Sequence, residues 1–339
     1  MNSTPLLTVG ILNWNGAALL RQFLPSVLRY TPHEKARIVV IDNGSSDDSL
    51  EVMRQEFPNV EVLSLDQNHG FAGGYNLAIK QCNTPYYCLL NSDIEVTEGW
   101  IDAPLALLEA HHELGAVQPK IRSYHRRSAF EYAGAAGGFI DYLGYPFCRG
   151  RLFDFTEEDH GQYDTEIPIF WASGATLFVR REAYLSVGGL DEMFFAHMEE
   201  IDLCWRLYNK GYKLVYTPHS LVYHVGGASL SSSNAKKVYL NFRNNLLMLY
   251  KNLPPKEGER LIQKRMLLDG LSAIMYLVKG KIKFAKAIYQ AHQDFKRMRI
   301  YYPPLASQPS EIPPQLIYRR SIVWHYFVLR KKRFSDLNT

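Results

Sequence analysis

Leu-Leu-Asn-Ser-Asp-Ile-Glu-Val, residues 89–96, is the stretch on which the fold prediction depends. It closes an apolar run, Tyr86–Leu90, whose length and β-favouring residues are typical of a buried strand. Three polar residues follow at once, so Asp93 is predicted to lie where this strand ends. Because the carboxyl ends of strands line the ligand crevice of an open α/β sheet, a carboxylate there can bind a divalent cation that carries substrate phosphates. Asn-Ser-Asp is also ordinary turn sequence, and taken alone it indicates a turn.

Length and composition indicate a folded protein with one large domain and an appendage. The chain has 339 residues, of which 47% are hydrophobic, and this is enough to bury a full core. Its four cysteines form no C-x-x-C pair, and the first residues, Met1–Pro5, lack the basic and apolar regions of a signal peptide. We therefore expect a protein of the cytoplasm.

Charge is distributed unevenly along the chain. Residues 1–230 carry 17 Lys and Arg against 28 Asp and Glu, whereas residues 231–339 carry 21 against 6. The sequence therefore predicts an acidic body followed by a basic C-terminal region.

Apolar runs alternate with helical patterns over the first hundred residues, which is typical of βαβ units and a largely parallel sheet. Strands are predicted at Leu6–Leu12, Arg37–Ile41 and Val60–Leu65, with a helix over Ala17–Tyr30. Polar stretches follow the strands: Asn13–Asn15, Asp42–Asp47, Asn68–Asn76 and Asn91–Asp93. The third of them, Asn68–Asn76, is a glycine-rich turn before a short helix. Their recurrence at successive strand ends indicates a nucleotide site. G-x-G-x-x-G and G-x-x-x-x-G-K-[ST] are both absent, which argues against dinucleotide oxidoreductases and P-loop phosphotransferases.

Four segments taken in order carry a family resemblance: Ile11–Asn15, Val40–Asp47, Asn68–Asn76 and Leu90–Asp93. Together they resemble the family 2 glycosyltransferases of GT-A fold, in particular the bacterial rhamnosyltransferase-like subgroup, over about residues 6–253. The resemblance implies an α/β fold in which a mainly parallel, Rossmann-like sheet is flanked by helices. The expected organisation is a catalytic domain over residues 1–230, with a donor half of about 1–120 and an acceptor half of about 121–230. A helical extension over residues 231–339 follows.

The resemblance also implies a site for a nucleotide-sugar donor. The residue matching Asp42 binds the nucleotide base in that family, and the residue matching Asp93 holds Mg²⁺ or Mn²⁺ at the donor diphosphate. The family's D-x-D motif has Asn91 in its first place here, which leaves one carboxylate. The residues expected to bind the donor are Asn13, Asn15, Asp42, Asn68, Gly70, Asn91 and Asp93.

An acidic cluster in the second half of the body, Glu199, Glu200 and Asp202, offers a catalytic base. On a helix, Glu199 and Asp202 share a face and could pair with Arg206, whereas Glu200 projects about 100° away. A solvated acidic first turn, favoured by the helix dipole, is the alternative. The segment resembles the family's Glu-Asp-x-Asp-x-x-x-Arg motif, in which the second acidic residue is the base. The resemblance therefore favours Glu200, and Glu199 stays open as the alternative.

The remaining candidates surround this cluster in the sequence. Trp171 and Gly174 precede the predicted strand Thr176–Val179, and with Asp202 and Arg243 they are expected to contact the acceptor. A lone histidine such as His224 is more often structural than a ligand. Since some relatives bind the metal with a histidine in this place, the resemblance makes His224 the expected second metal ligand. Arg243 could equally be a surface arginine.

The basic region is predicted to be helical and to lie on a membrane surface. Phe284, Ile288, Ala291, Phe295 and Met298 recur at helical spacing among lysines and arginines. The longest apolar stretch, residues 266–278, is too short to span a bilayer. No nucleic-acid module is recognisable and aromatic residues are interleaved with the charges, so we expect an anionic membrane as partner and no nucleic acid. A homo-oligomer interface is the alternative.

These observations predict a cytoplasmic, metal-dependent, inverting glycosyltransferase at the inner face of the cell membrane. The resemblance implies a donor such as dTDP-rhamnose and, as acceptor, a hydroxyl of a glycan or a polyprenyl-linked saccharide in cell-surface polysaccharide synthesis. Glu200 would take the acceptor proton as the sugar is attacked opposite the leaving nucleoside diphosphate. A non-catalytic nucleotide-sugar-binding protein is the competing class, since it could keep Asp42 and Asp93 without a base. A basic nucleic-acid-binding protein would depend on residues 231–339 alone.

Overall fold

The computed structural model describes residues 5–226, 234–303 and 312–337. Its strands are β1 (Leu7–Asn13), β2 (Ala36–Asp42), β3 (Glu61–Ser64), β4 (Tyr86–Asn91), β5 (Ile94–Val96), β6 (Leu114–Ser123), β7 (Gly138–Asp141), β8 (Pro146–Cys148), β9 (Arg151–Leu152), β10 (Phe155–Thr156), β11 (Ile167–Pro168), β12 (Thr176–Arg180), β13 (Lys213–His224) and β14 (Ile317–Tyr318). Its helices are α1 (Ala17–Tyr30), α2 (Ser49–Glu56), α3 (Gly70–Gln81), α4 (Asp102–Ala110), α5 (Arg181–Ser186), α6 (Glu199–Asn209), α7 (Ala235–Asn252), α8 (Pro255–Val278), α9 (Ile282–Met298) and α10 (Ile322–Phe327).

A mixed sheet, of nine strands within the described residues, forms the centre of the protein. Its order is β11-β13-β6-β12-β4-β1-β2-β3, and β5 pairs with β13. β3, β2, β1 and β4 run parallel to one another, whereas β12 runs antiparallel between β4 and β6. The carboxyl ends of β1, β2 and β4 therefore lie along one edge, where the polar stretches of the sequence were expected to meet.

Both faces of this sheet are buried, which explains why its strands read as continuous apolar runs. Val40 and Leu90 belong to one buried cluster, which also contains residues of α1 and α4. Their neighbours Ile41 and Leu89 belong to the other cluster, with residues of α3 and α6. Successive side chains of a strand point to opposite faces, so adjacent apolar residues serve two separate layers of core.

A second sheet, of order β10-β9-β8-β7-β14, joins the end of the chain to the body. β14 comes from the C-terminal region and pairs in parallel with β7. Asp141, at the end of β7, accepts a hydrogen bond of 3.0 Å from the backbone N of Ile322 at the start of α10. Ile322 and Leu337 are fully buried in the cluster that also contains residues of the central sheet. The end of the basic region is thus built into the body, and the domain boundary near residue 230 stays a prediction.

The glycine-rich stretch differs from its expected form. The sequence predicts a turn over Asn68–Asn76 followed by a short helix, but α3 already begins at Gly70 and has 12 residues. A Cβ placed on Gly74 would lie 2.6 Å from Cδ1 of Leu12 in β1. The absence of a side chain therefore lets α3 pack closely against the end of β1, which is a packing role that a turn prediction overlooks.

α8 and α9 form a helical hairpin that packs against α7. The chain reverses near Gly280, whose φ is +69°. Ile288, Ala291 and Phe295, which the sequence suggested as a membrane face, are buried. Among the described helices, none combines the length and the apolar content that a bilayer crossing requires.

Candidate active site

The first group of site residues lies where β1 and β2 end. Asn13 and Asp42 are register partners on these strands, and both are almost fully buried. Asn13 Nδ2 donates hydrogen bonds of 3.3 Å to Asp42 Oδ1 and to Ser45 Oγ. The backbone N of Ser45 donates to the second oxygen of Asp42 at 3.2 Å. The carboxylate of Asp42 is therefore fixed in place by the protein itself.

Asn15 organises the loop that follows β2. Its φ is +51°, a left-handed conformation that asparagine tolerates better than most residues. Its Oδ1 accepts hydrogen bonds from the backbone N of Ser46 at 2.7 Å and of Asp47 at 3.3 Å. Asn15 thus shapes the loop beside Asp42, and its direct contact with a donor stays a prediction.

Asn43, which the sequence did not single out, ties this loop to the glycine-rich stretch. Its Nδ2 donates to Asn68 Oδ1 at 3.1 Å and to Gly70 O at 3.0 Å, while its Oδ1 accepts from the backbone N of His69 at 2.9 Å. Asn68 Oδ1 also accepts from the backbone N of Gly70 at 2.8 Å. The structure therefore brings Asp42, Asn68 and Gly70 into one hydrogen-bonded region.

Asp93 lies in the turn between β4 and β5 and contacts His224, the last residue of β13. Asp93 Oδ1 and His224 Nε2 are 3.2 Å apart. On the other side of the imidazole ring, Nδ1 lies 3.3 Å from Oε2 of Glu131. All three side chains are buried. Asn91 ends β4 at the same edge, where its backbone N donates to the carbonyl of Ala175 at 3.0 Å.

Opposite charges set the protonation of this cluster. Burial raises the pKa of Asp93, but the hydrogen bond and the charge of His224 outweigh burial and hold this pKa below its usual value. Burial lowers the pKa of His224, yet the charge of Glu131 and the hydrogen bond to Asp93 raise it to about 10. At neutral pH His224 is therefore an imidazolium and Asp93 is ionised beside it.

The side chains of Asp93 and His224 suit a divalent cation that takes few of its ligands from the protein. Metal-bound histidines commonly have a carboxylate beside their second ring nitrogen, and Glu131 Oε2 lies 3.3 Å from Nδ1 of His224. Loss of the Nε2 proton would free that nitrogen beside Asp93. Within residues 5–226, 234–303 and 312–337, no three His, Cys, Asp or Glu side chains are grouped so that they could hold a metal. Substrate oxygens and water would complete the coordination, as is common for Mg²⁺.

α6 begins with the two glutamates that are the candidates for a base. Glu199 is buried and Glu200 is half-buried. The Oε2 atom of each has no hydrogen-bond partner among the described residues. Burial, and then the charge of Glu200, raise the pKa of Glu199 well above its usual value. Burial raises the pKa of Glu200 to about 7, and a carboxylate that titrates near neutral pH is suited to general-base catalysis.

Two close approaches bring this helix start beside the donor region. A Cβ placed on Gly174 would lie 3.6 Å from Cβ of Glu200 and 3.2 Å from the ring of Phe71 in α3. A Cβ placed on Gly70 would lie 3.7 Å from the carbonyl oxygen of Phe195, in the loop before α6. Gly174 therefore lies next to the candidate base, and its contact with an acceptor stays a prediction.

The loop that leads into α6 has an unusual backbone. Phe195, His197 and Met198 have positive φ angles of 65°, 69° and 74°. Each such conformation costs a non-glycine residue about 1–3 kcal/mol, so it persists only where surrounding contacts hold it. Since Met198 directly precedes Glu199, the shape of this loop determines where both glutamates point.

Two residues of α7 hold this loop. Asn244 is fully buried, and its Nδ2 lies 2.8–2.9 Å from the carbonyl oxygens of Phe194, Ala196 and His197, to which it donates. Arg243 donates to Phe194 O at 3.0 Å and to Met193 O at 3.2 Å. Arg243 is therefore engaged with the protein backbone. In this geometry Arg243 holds the loop. Its contact with an acceptor stays a prediction.

Two other residues expected at the acceptor are engaged inside the protein. Asp202 is fully buried, where it accepts hydrogen bonds from Arg206 at 2.8 Å, Lys251 at 2.9 Å and Asn252 at 2.8 Å. This network joins α6 to α7. Trp171 is buried, and its Nε1 donates to Phe139 O at 2.9 Å. Both side chains are engaged within the protein, and their contact with an acceptor stays a prediction.

The segment that carries Asn13, Asp42 and Asp93 has a counterpart among known proteins. Residues 8–179, half of the chain, match the sequence model of glycosyl transferase family 2. The chain belongs to glycosyl transferase family 2. This assignment confirms the family that the ordered segments around Asn13, Asp42 and Asp93 predicted.

The family 2 chain is similar to an N-acetylglucosaminyl-diphospho-decaprenol L-rhamnosyltransferase of Mycobacterium tuberculosis (strain CDC 1551 / Oshkosh). The two are 28% identical over 261 residues, which cover 73% of this chain and 84% of the relative. Among solved structures, that of S. aureus TarS 1-349 in complex with UDP-GlcNAc matches with a TM-score of 0.56 and 15% identity, over 85% of this chain and 80% of TarS 1-349.

A second solved structure, GalNAc-T7 with UDP, GalNAc and Mn²⁺, matches with a TM-score of 0.60 and 16% identity. The match covers 88% of this chain but only 57% of GalNAc-T7. Both structures confirm the GT-A fold of the family 2 enzyme.

Three site residues of this family 2 glycosyltransferase were missed from the sequence. Asn43 stands inside a polar stretch at a strand end, so its position was an available signal. Asn244 adjoins Arg243, but nothing in the sequence shows that it contacts a loop 47 to 50 positions away. Glu131 lies between β6 and β7 without any motif, and only the folded structure reveals that it contacts His224.

Proposed function

We propose that this enzyme is an inverting glycosyltransferase that moves a sugar from a nucleotide-sugar donor to a hydroxyl of a glycan or lipid-linked saccharide. The observation that carries the proposal is Glu200, which has an unpartnered oxygen and a pKa of about 7 beside Gly174. A buried carboxylate oxygen without a partner, such as Oε2 of Glu200, destabilises a protein. A protein that only bound a nucleotide sugar would have no need of one, so the non-catalytic alternative is disfavoured.

The donor would lie along the edge formed by β1, β2 and β4. Asp42, held by Asn13 and Ser45, would bind the nucleotide base, and Asn68 and Gly70 would line the same region. Rhamnose from dTDP-rhamnose is the proposed sugar. The similarity to the mycobacterial L-rhamnosyltransferase supports this choice, and it also supports an acceptor on a polyprenyl diphosphate.

Glu200 would act on the acceptor hydroxyl. Its carboxylate removes the hydroxyl proton while the acceptor oxygen bonds to the anomeric carbon, and the bond from that carbon to the diphosphate oxygen breaks on the opposite face. The configuration of the sugar is thereby inverted. Since the base must be ionised, transfer should become faster as the pH rises through about 7, the pKa of Glu200.

Asp93 and His224 would hold Mg²⁺ or Mn²⁺, and Glu131 would orient the histidine. An ion held by these residues would supply positive charge to stabilise the departing diphosphate. The Mn²⁺ in the GalNAc-T7 structure supports a divalent ion in this fold.

The enzyme would work in the cytoplasm at the inner face of the cell membrane, in cell-surface polysaccharide synthesis. The excess of basic residues after residue 230 supports attraction to anionic lipids. A homo-oligomer interface is the alternative use of this region.

A panel of nucleotide sugars tests the proposal. We expect one of them, dTDP-rhamnose first, to raise the melting temperature and to be hydrolysed slowly in the presence of Mn²⁺. Transfer to a short soluble acceptor, followed by NMR of the product, should show the inverted anomer. Stabilisation without any turnover would favour the non-catalytic class, and a retained configuration would contradict the role of Glu200.

A further inference from the structure

α8 and α9 form a hairpin whose base is attached to the body by polar contacts. Arg265 of α8 donates to Leu143 O at 2.9 Å and to Asn245 Oδ1 at 2.6 Å. Asp294 of α9 accepts a hydrogen bond of 2.8 Å from the hydroxyl of Tyr239 in α7. These contacts attach the hairpin to the body at Arg265 in α8 and at Asp294 in α9. The base of the hairpin therefore has a fixed position.

The far end of the hairpin, residues 270–284, is uncovered. All of these residues are described, and none of them is buried. Apolar side chains that are more than half exposed continue along one stripe of α8 and past its end: Leu267, Leu271, Ile274, Met275, Val278 and Ile282. Exposure reaches 71% at Leu267 and 83% at Val278. An apolar patch of this extent is characteristic of an interaction surface.

Charge around this patch has a single sign. Residues 270–293 contain no Asp or Glu. The same segment contains Lys279, Lys281, Lys283 and Lys286, all of which are exposed. Lysines that flank exposed apolar side chains are typical of segments that lie in the interface of an anionic membrane.

We propose that residues 267–286, the hairpin tip, insert into the interface of an anionic lipid bilayer. The proposal rests on the proposed function, because it assigns to one element the membrane contact of the same enzyme. From Asp269 to Val278 the helix extends about 14 Å, and interfacial helices bury themselves by about 5–10 Å. The tip is therefore long enough to enter the interface while the base stays attached to the body.

A second copy of the chain is a less suitable occupant of this surface. A two-fold dimer would place the same patch against itself, so the four lysines of each copy would face their counterparts. The only carboxylate of the tip, Asp269, is fully buried beside Arg265 and His292, so it cannot pair with these lysines. Phospholipid phosphates supply the negative charge that this surface lacks, and acyl chains supply the apolar environment.

The main test compares three variants of the full chain by flotation with vesicles of phosphatidylcholine, with or without phosphatidylglycerol. The charge variant is Lys279→Gln, Lys281→Gln, Lys283→Gln, and the apolar variant is Leu271→Ser, Ile274→Ser, Val278→Ser. The control is Lys331→Gln, Lys332→Gln, Arg333→Gln, which removes the same number of charges elsewhere in the basic region.

We expect the wild type to bind anionic vesicles and to bind neutral vesicles far more weakly. Each lysine near an anionic surface contributes roughly fivefold to binding, so the charge variant should lose about 100-fold. The apolar variant should lose at least about tenfold, and the control should bind as the wild type does. A wild type that ignores anionic vesicles, or a control that loses binding when the charge variant keeps it, would overturn the proposal.

Insertion itself is measurable with Val278→Trp. Its fluorescence should shift to shorter wavelength with anionic vesicles and should be quenched by brominated acyl chains, relative to the wild type.

An apolar variant that converts a wild-type dimer into a monomer would show that a second copy covers the tip. Transfer to a short soluble acceptor is measured in parallel. If no variant or wild type shows transfer, the proposed function fails, while the vesicle result still decides the role of the tip.

Discussion

The two acidic clusters of the active site are built in opposite ways. Asp93 and Glu131 enclose His224, and the hydrogen bond and charge of that histidine keep the pKa of Asp93 below its usual value. Glu199 and Glu200 have oxygens without partners among the described residues, and burial raises the pKa of both. One cluster is kept ionised by a neighbouring charge, and the other is brought close to neutral by its surroundings.

This difference separates two chemical tasks. A carboxylate that stays ionised can bind a cation at any physiological pH, whereas a carboxylate that titrates near pH 7 can exchange a proton with a substrate. Their environments thus suit similar side chains to the two different tasks that we propose for them. Substitutions at each cluster, and at the loop that positions the second one, test this separation.

The largest effect is expected at Glu200. Glu200→Gln keeps the shape of the side chain but cannot accept the proton, so kcat for transfer should fall by about 10²–10⁴-fold. Donor affinity, measured by calorimetry, should not change. Glu199→Gln is the matched control, and it should lower kcat by less than tenfold if Glu200 alone is the base. A fully active Glu200→Gln enzyme would transfer the role to Glu199.

The next effect concerns the loop that leads to the glutamates. Asn244→Ala removes the donor to three carbonyls, so the strained loop should relax and Glu200 should move from its position. A displacement of about 1 Å can cost 10²-fold in rate, and we expect a loss of kcat of up to that size. KM for the donor should stay the same.

Asn245→Ala is the control for this loop, because Asn245 is also buried but donates to Gly144 O instead. It should lower the melting temperature without a comparable loss of kcat. Equal effects of the two substitutions on kcat would show that Asn244 acts through general stability.

A smaller and more specific effect is expected at the ionised cluster. Asp93→Ala and His224→Ala should each raise the Mn²⁺ concentration required for half-maximal activity, and Glu131→Gln should do so by about 10- to 100-fold through the histidine. Addition of saturating Mn²⁺ should restore part of the activity of Glu131→Gln. Undiminished turnover of the wild type in excess EDTA would exclude a role for a metal.

Strand ends were the part of the site that the sequence predicted well. Asn13, Asp42 and Asn91 each close a strand, because an apolar run followed directly by polar residues is a local pattern. Parallel pairing then brings these ends together, so local information sufficed to place them on one edge. Whether each of them contacts the donor stays a prediction.

Contacts between distant segments could not be predicted in the same way. Asp202 and Arg243 are charged, and the sequence suggested substrate contacts for both, yet the structure engages them in the joint between α6 and α7 and in the loop before α6. The apolar face of α9 was read as a membrane surface, but it is buried against the body. An amphipathic pattern shows that a face is apolar and does not show what covers it.

The smallest effect is on stability, and it follows from the same burial that suits Glu200 to catalysis. Its pKa is about 7 in the folded protein against an ordinary value of 4.5, so the folded state binds the proton more tightly than the unfolded state. This contribution to stability is complete below about pH 4.5 and is lost as the pH rises through about 7. Glu200→Gln cannot ionise and should escape this loss. At pH 8 it should therefore be more stable than the wild type, which a rise of several degrees in melting temperature would show.

Calorimetric scans at pH 5 and pH 8 measure this difference directly. The gap between wild type and Glu200→Gln should widen toward pH 8, whereas Glu109→Gln, at an exposed position of α4, should follow the wild type at both values. Asp93→Asn should show the opposite sign, because the wild-type carboxylate with its lowered pKa stabilises the folded state at pH 8. If the melting temperatures of wild type and Glu200→Gln change equally with pH, then water or a rearrangement of the protein relieves the burial of Glu200. In that case the contrast between the two acidic clusters would not be the basis of their separate functions.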